Sequence, residues 1–127
     1  MNRIVLDASA ILAVISEPGS DTLTAELLAH AVASAVNLAE VQTKLVSRGW
    51  TSEQAWEDAT SPPREVLSFD EGQAKMAGDL VTQTHQLGLS LGDRACLALG
   101  VALKLPIYTA EKAWKKLKLG VPIHVIR

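Results

Sequence analysis

Four carboxylates fall where short apolar runs give way to helical spacing, and these residues have the most chemistry to offer. Asp7 follows Arg3-Ile4-Val5-Leu6, and Glu40 lies just past Ala31-Val32-Ala33-Ser34-Ala35-Val36. Asp93 opens an apolar helix, and Glu111 follows Pro106-Ile107-Tyr108-Thr109. If the apolar runs are parallel strands, all four acids come to the carboxyl edge of one sheet, where open α/β sheets bind ligands. Carboxylates gathered there repel one another, and a hard divalent cation with oxygen ligands, Mg²⁺ or Mn²⁺, is the simplest compensation. Such a cation lowers the pKa of a water and stabilises charge developing on a phosphodiester. Zinc does not suit the pattern, because no Cys and His residues have ligand spacing. Taken singly, each acid has a plainer account. A carboxylate in a first helical turn gains about 0.3–1 kcal/mol from the macrodipole and satisfies free amides. Asn37-Leu38-Ala39-Glu40 also has the spacing of a capping box.

Periodicity supplies the elements that would position these acids. Strands are expected over 3–6, 31–36, 65–69, 106–109 and 121–126, the last with Pro122, which suits an edge. Helical spacing follows Asp7 until Glu17-Pro18-Gly19-Ser20, then covers 21–29, 37–48, 52–60, 70–86, 94–103 and a short basic segment, 111–117. Gly49, Gly88 and Gly120 are placed to end helices, and Asp70 with Gln73 has capping-box spacing. His30 and His85 fall at helix ends, where a cap is the better reading than a metal ligand or base. Trp50 and Trp56 are expected to cover the contact of the 52–60 helix with the body or a partner. Strands alternating with helices predict a three-layer α/β/α sandwich with a mostly parallel sheet. No linker or internal repeat divides residues 1–127, so a single domain is expected.

Composition narrows the class. Hydrophobic residues make up 48% of the 127 and aromatics only 4%, so the core must be built from Ala, Leu, Val and Ile. The single cysteine, Cys96, sits among Ala95, Leu97 and Ala98, reads as a small buried hydrophobe and suits a reducing cytoplasm. A net charge of −2 does not advertise nucleic-acid binding, which would need a local basic patch. There is no signal-peptide pattern and no apolar run long enough to span a bilayer.

Four stretches in order, Val5-Leu6-Asp7-Ala8-Ser9-Ala10, Asn37-Leu38-Ala39-Glu40-Val41, Leu89-Ser90-Leu91-Gly92-Asp93-Arg94-Ala95-Cys96-Leu97-Ala98 and Tyr108-Thr109-Ala110-Glu111, resemble the successive motifs of PIN domains. They are similar in particular to those of the VapC ribonuclease toxins of prokaryotic toxin–antitoxin pairs. The resemblance implies that Asp7, Glu40 and Asp93 are metal-binding catalytic acids, with Ser9 and Thr109 as polar neighbours. It also implies an RNA substrate, a cognate antitoxin and a homodimer. At the fourth position the family pattern usually presents Asp, and here stands Glu111, one methylene longer. For holding RNA the basic residues near these motifs are Lys44, Arg94, and Lys112, Lys115, Lys116 and Lys118 around Trp114. The plainer account is a solvated lysine face with Trp114 packed beneath it. Two other functions compete. One is a non-catalytic PIN-like module that binds RNA or a partner; the other is a phospho-acceptor domain using Asp70.

Overall fold

The computed structural model describes residues 2–16 and 22–126. Five strands form one sheet: β1 (Ile4–Leu6), β2 (Ala31–Ser34), β3 (Glu65–Leu67), β4 (Ile107–Thr109) and β5 (Ile123–Val125). Their order is β3-β2-β1-β4-β5, with every pairing parallel. Val5 stands opposite Val32 on one side and Ile107 on the other, so β1 is the central strand. The chain moves outward from β1 through β2 to β3, then returns to place β4 on the opposite side. The connections therefore reverse between β1 and β4, and the carboxyl ends of those two strands frame the crevice such sheets use for ligands.

Side chains alternate across the strands and divide the core in two. Ile4, Leu6, Ala31 and Ala33 face one layer with Ile11, Leu38, Val41 and Leu45. That layer belongs to α1 (Ala8–Ser16), α3 (Ala35–Ser47) and α4 (Ser52–Ala59). Val5, Val32 and Ile107 face the other, with Ala77, Leu97, Leu99 and Trp114. It is built from α5 (Glu71–Asp79) and α7 (Leu91–Leu103). This is the expected α/β/α sandwich. The short helices α2 (Ala25–Leu28) and α6 (Val81–Thr84) complete the set, with 3₁₀ turns at His85–Leu87 and Lys112–Lys116. Among the described residues no helix is long and apolar enough to cross a membrane.

Several boundaries differ from those read in the sequence. The residues Glu17-Pro18-Gly19-Ser20 lie outside the described set, as does Asp21, and α2 starts only at Ala25, where the Thr24 hydroxyl accepts from the Leu27 amide. β2 stops at Ser34, whose hydroxyl caps α3 by accepting from the Val36 amide, so Ala35 and Val36 are helical and Asn37 is not a cap. The 70–86 helix is broken into α5, α6 and a 3₁₀ turn that ends at Gly88 with φ 68°. Asp70 does cap α5, accepting from the Gln73 amide at 2.8 Å. The basic segment is a 3₁₀ turn, with Trp114 fully buried beneath exposed lysines. Trp50 packs on the first core, whereas Trp56 is half exposed.

Candidate active site

β1 ends on Asp7, which is only 2% exposed. Its Oδ1 accepts from the Ala10 amide and the Ser9 hydroxyl, both at 2.8 Å. Its Oδ2 accepts from the Thr109 hydroxyl at 2.6 Å and lies 2.9 Å from Ser9 Oγ. Ser9 Oγ in turn accepts from the Ala110 amide at 2.9 Å, and Thr109 Oγ1 from the Glu111 amide at 3.0 Å. The ends of β1 and β4 are thus tied together through one carboxylate. Burial pushes the Asp7 carboxyl up to about 6; the bonds from Thr109, Ala10 and Ser9 oppose the rise and the charge of Asp93 adds to it.

Asp93 reaches the same edge from the first turn of α7. Its Oδ2 accepts from the Ser90 amide at 2.9 Å while the Ser90 hydroxyl accepts from the Asp93 amide at 3.1 Å. The capping box therefore belongs to Ser90 and Asp93, not to Asn37 and Glu40. Glu40 lies on α3 with its Oε1 accepting from the Asn37 side-chain amide at 2.8 Å. Glu111 is exposed just beyond β4, and its side chain accepts no hydrogen bond among the described residues.

All four acids line one open cleft of about 400 Å³, together with Ser9. Lys44 in the last turn of α3 and Arg48, the residue that caps its C-terminus, supply the basic side of the cleft. Arg48 was not among the basic residues expected near the acids, although its i+8 spacing from Glu40 is a signal for it. No ion pair neutralises the acids, since the salt bridges among the described residues are Arg3–Glu65 and Lys75–Asp79. No three carboxylate, imidazole or thiolate groups among the described residues converge as a closed metal cage. The oxygen-only donor set and the uncompensated charge nevertheless fit a hard divalent cation better than a soft one.

The other basic residues lie elsewhere. Arg94 does not line the cleft: its guanidinium donates to the Ala77 carbonyl at 2.8 Å, bridging α7 to α5. Lys112, Lys115 and Lys116 are exposed beside Glu111 without lining the cleft. Asp70 is an exposed cap of α5 and does not line the cleft that holds the other acids. Cys96 is fully buried, and burial with the charges of Asp7, Asp93 and Glu40 raises its thiol well above the usual range, so it is no nucleophile.

A parallel sheet with acids gathered at its central carboxyl edge defines an α/β protein with an acid-lined cleft. The model of the PIN domain matches residues 4–119, and this chain belongs to the PIN domain family. A comparison with curated proteins finds no match. Among solved structures the chain is similar to VapBC2 from Rickettsia felis, described as bound to a DNA fragment from its promoter, at 23% identity over 94% of this chain and 96% of that one, with a TM-score of 0.73. It is similar to DNA-bound VapBC from Salmonella typhimurium, at 17% identity over 100% of both chains and a TM-score of 0.77. VapC20 from Mycobacterium tuberculosis, described as a sarcin-ricin loop cleaving toxin, shares 17% identity over 88% of this chain and 92% of that one, with a TM-score of 0.68. At these identities the likeness is one of fold.

Proposed function

We propose that this protein is a Mg²⁺- or Mn²⁺-dependent endoribonuclease and the toxin of a toxin–antitoxin pair, acting in the cytoplasm as a single-domain chain. The observation that carries the reading is the meeting of Asp7, Glu40, Asp93 and Glu111, from four separate segments, on one cleft. Asp7, Glu40 and Asp93 would hold the cation, with Glu111 as the fourth acid. When bound, a divalent ion supplies Lewis acidity toward a phosphodiester and acidifies a water.

The chain's own groups do the rest. Ser9, Thr109 and the Ala10 amide fix the Asp7 carboxylate in one orientation. Because burial disfavours its anion, Asp7 is a carboxylate whose charge is best relieved by a cation beside it. Asp93 is held by its capping box and Glu40 by the Asn37 amide, while Glu111 brings a longer side chain that accepts no hydrogen bond among the described residues. Lys44 and Arg48 face the same cleft and are suited to phosphate oxygens flanking the scissile bond. Lys112, Lys115 and Lys116 extend the positive surface beside Glu111. The likeness to VapBC structures supports a cognate antitoxin, and the PIN resemblance implies a homodimer.

The open spacing of the acids favours a second reading, a non-catalytic module that binds RNA or a partner through this cleft. One experiment separates the two. Purified protein incubated with whole-cell RNA is expected to cut it with Mg²⁺ or Mn²⁺ and not with EDTA, and Asp93→Asn to lose the activity. RNA retained on the protein but left intact with either metal supports the binding module and contradicts the nuclease.

A further inference from the structure

We propose that Asn37 is a positioning residue which, together with Gly92, clamps the Glu40 carboxylate at the cleft; this rests on the reading of Glu40 as a cation ligand. Asn37 is 1% exposed and sits one turn before Glu40 on α3. Its side-chain amide donates to Glu40 Oε1 at 2.8 Å and to the Gly92 carbonyl at 3.0 Å. Two acceptors face this group, so the amide can take only one orientation. Reversed, its oxygen would meet a carboxylate and a carbonyl.

That orientation leaves Asn37 Oδ1 buried without a partner among the described residues. A position filled for stability alone would hold an apolar side chain like its neighbours Leu38 and Val41, both buried. An unsatisfied buried oxygen needs another explanation, and fixing Glu40 supplies it.

Gly92 closes the clamp from the other side. A Cβ there would overlap both oxygens of the Glu40 carboxylate, so the acid rests directly on the backbone of α7. Gly92 immediately precedes Asp93. The contact therefore sets the position of Glu40 relative to Asp93 across two helices. Outer hydrogen bonds of this kind orient a carboxylate ligand and hold its lone pairs toward a metal.

The test is calorimetric titration of the full chain with Mn²⁺. Asn37→Leu keeps the volume and removes both donors, and is expected to weaken Mn²⁺ binding ~10–100-fold while retaining a cooperative melt. Gly92→Ala, a substitution that favours helix, is expected to weaken binding similarly by displacing Glu40. In a Glu40→Ala background Asn37→Leu should add no further loss, because it acts through the missing carboxylate. If Asn37→Leu does not fold, Gly92→Ala and its double with Glu40→Ala carry the comparison. Wild-type protein that binds Mn²⁺ while both single variants match it to within about twofold overturns the clamp, as does full additivity with Glu40→Ala. Wild-type protein that takes up no Mn²⁺ instead overturns the proposed function.

Discussion

At Asp7 two effects oppose each other on one carboxyl. Hydrogen bonds from Ser9, Thr109 and Ala10 favour the anion, while burial and the Asp93 charge disfavour it, and the balance leaves the group at about 6 against 3.8 for a free side chain. The native state therefore binds this proton more tightly than the unfolded chain. Its contribution to stability is present in full below the unfolded value and is lost as pH rises through the folded one. The loss is about 3 kcal/mol, complete near neutral pH. Asp7→Asn should remove it, so the variant's stability relative to wild type should rise by roughly that amount between about pH 4 and pH 7. Urea unfolding of both proteins in EDTA measures this, and a difference that does not vary with pH contradicts the raised carboxyl. Asp7 and Asp93 were legible at this scale, since a charge ending a buried strand or opening an apolar helix draws notice. Asn37 was not. The spacing from Asn37 to Glu40 serves a capping box and an intrahelical side-chain bond alike, and only Ser34's role as the cap decides between them.

The element that couples the two helical layers to the site is α7. It runs buried nearly throughout from Ala95 to Gly100 and passes beneath Glu40 at Gly92. At its other end Gly100 lies against Ile107 of β4, and a Cβ there would overlap that buried side chain. Gly100→Ala improves helix propensity by about 1 kcal/mol, yet overpacking at this contact costs ~1–3 kcal/mol. Net destabilisation is expected, read as a lower midpoint in urea with an unchanged slope. A higher midpoint would mean that α7 does not press on β4 as described. Strand and helix types were readable because short β-branched runs alternate with 3.6-residue spacing. The boundaries were harder. Ala35 and Val36 continue the apolar run of β2, but the Ser34 hydroxyl starts the helix there. The 70–86 segment reads as one amphipathic helix, yet the described structure gives α5, α6 and a 3₁₀ turn in its place. No single residue of that segment announces the break.

For the whole molecule, a net charge of −2 means that the RNA of the proposed reaction would have to be held by local positive charge against a repelling cleft. Lys112, Lys115 and Lys116 stand exposed on one 3₁₀ turn beside Glu111, and Trp114 anchors that turn in the core without offering a stacking face. Replacing the three lysines with alanine should therefore weaken binding of single-stranded RNA uniformly across sequences. The slope of log affinity against log salt should shrink by up to about 2. An unchanged slope, measured by fluorescence anisotropy with a cleavage-deficient variant, assigns the RNA path elsewhere. The sheet class and the gathering of acids were legible from the chain as a whole, because Asp7 and Glu111 follow apolar strands while Glu40 and Asp93 lie near the starts of apolar helices. Of the basic residues that share their cleft, Lys44 was legible and Arg48 was not. Arg94 is adjacent to Asp93 in sequence but turns to Ala77, whereas Arg48 comes into the cleft from the C-terminal cap of α3.

The central claim is that acids from separate elements gather a divalent cation for RNA cleavage. Its most direct test is anomalous diffraction from crystals of the wild-type protein soaked in Mn²⁺. An anomalous peak is expected in the cleft with oxygens of Asp7, Glu40 and Asp93 among its ligands, lost in crystals of Asp7→Asn. Anomalous peaks confined to other surfaces, with the cleft holding only water at saturating Mn²⁺, would contradict it.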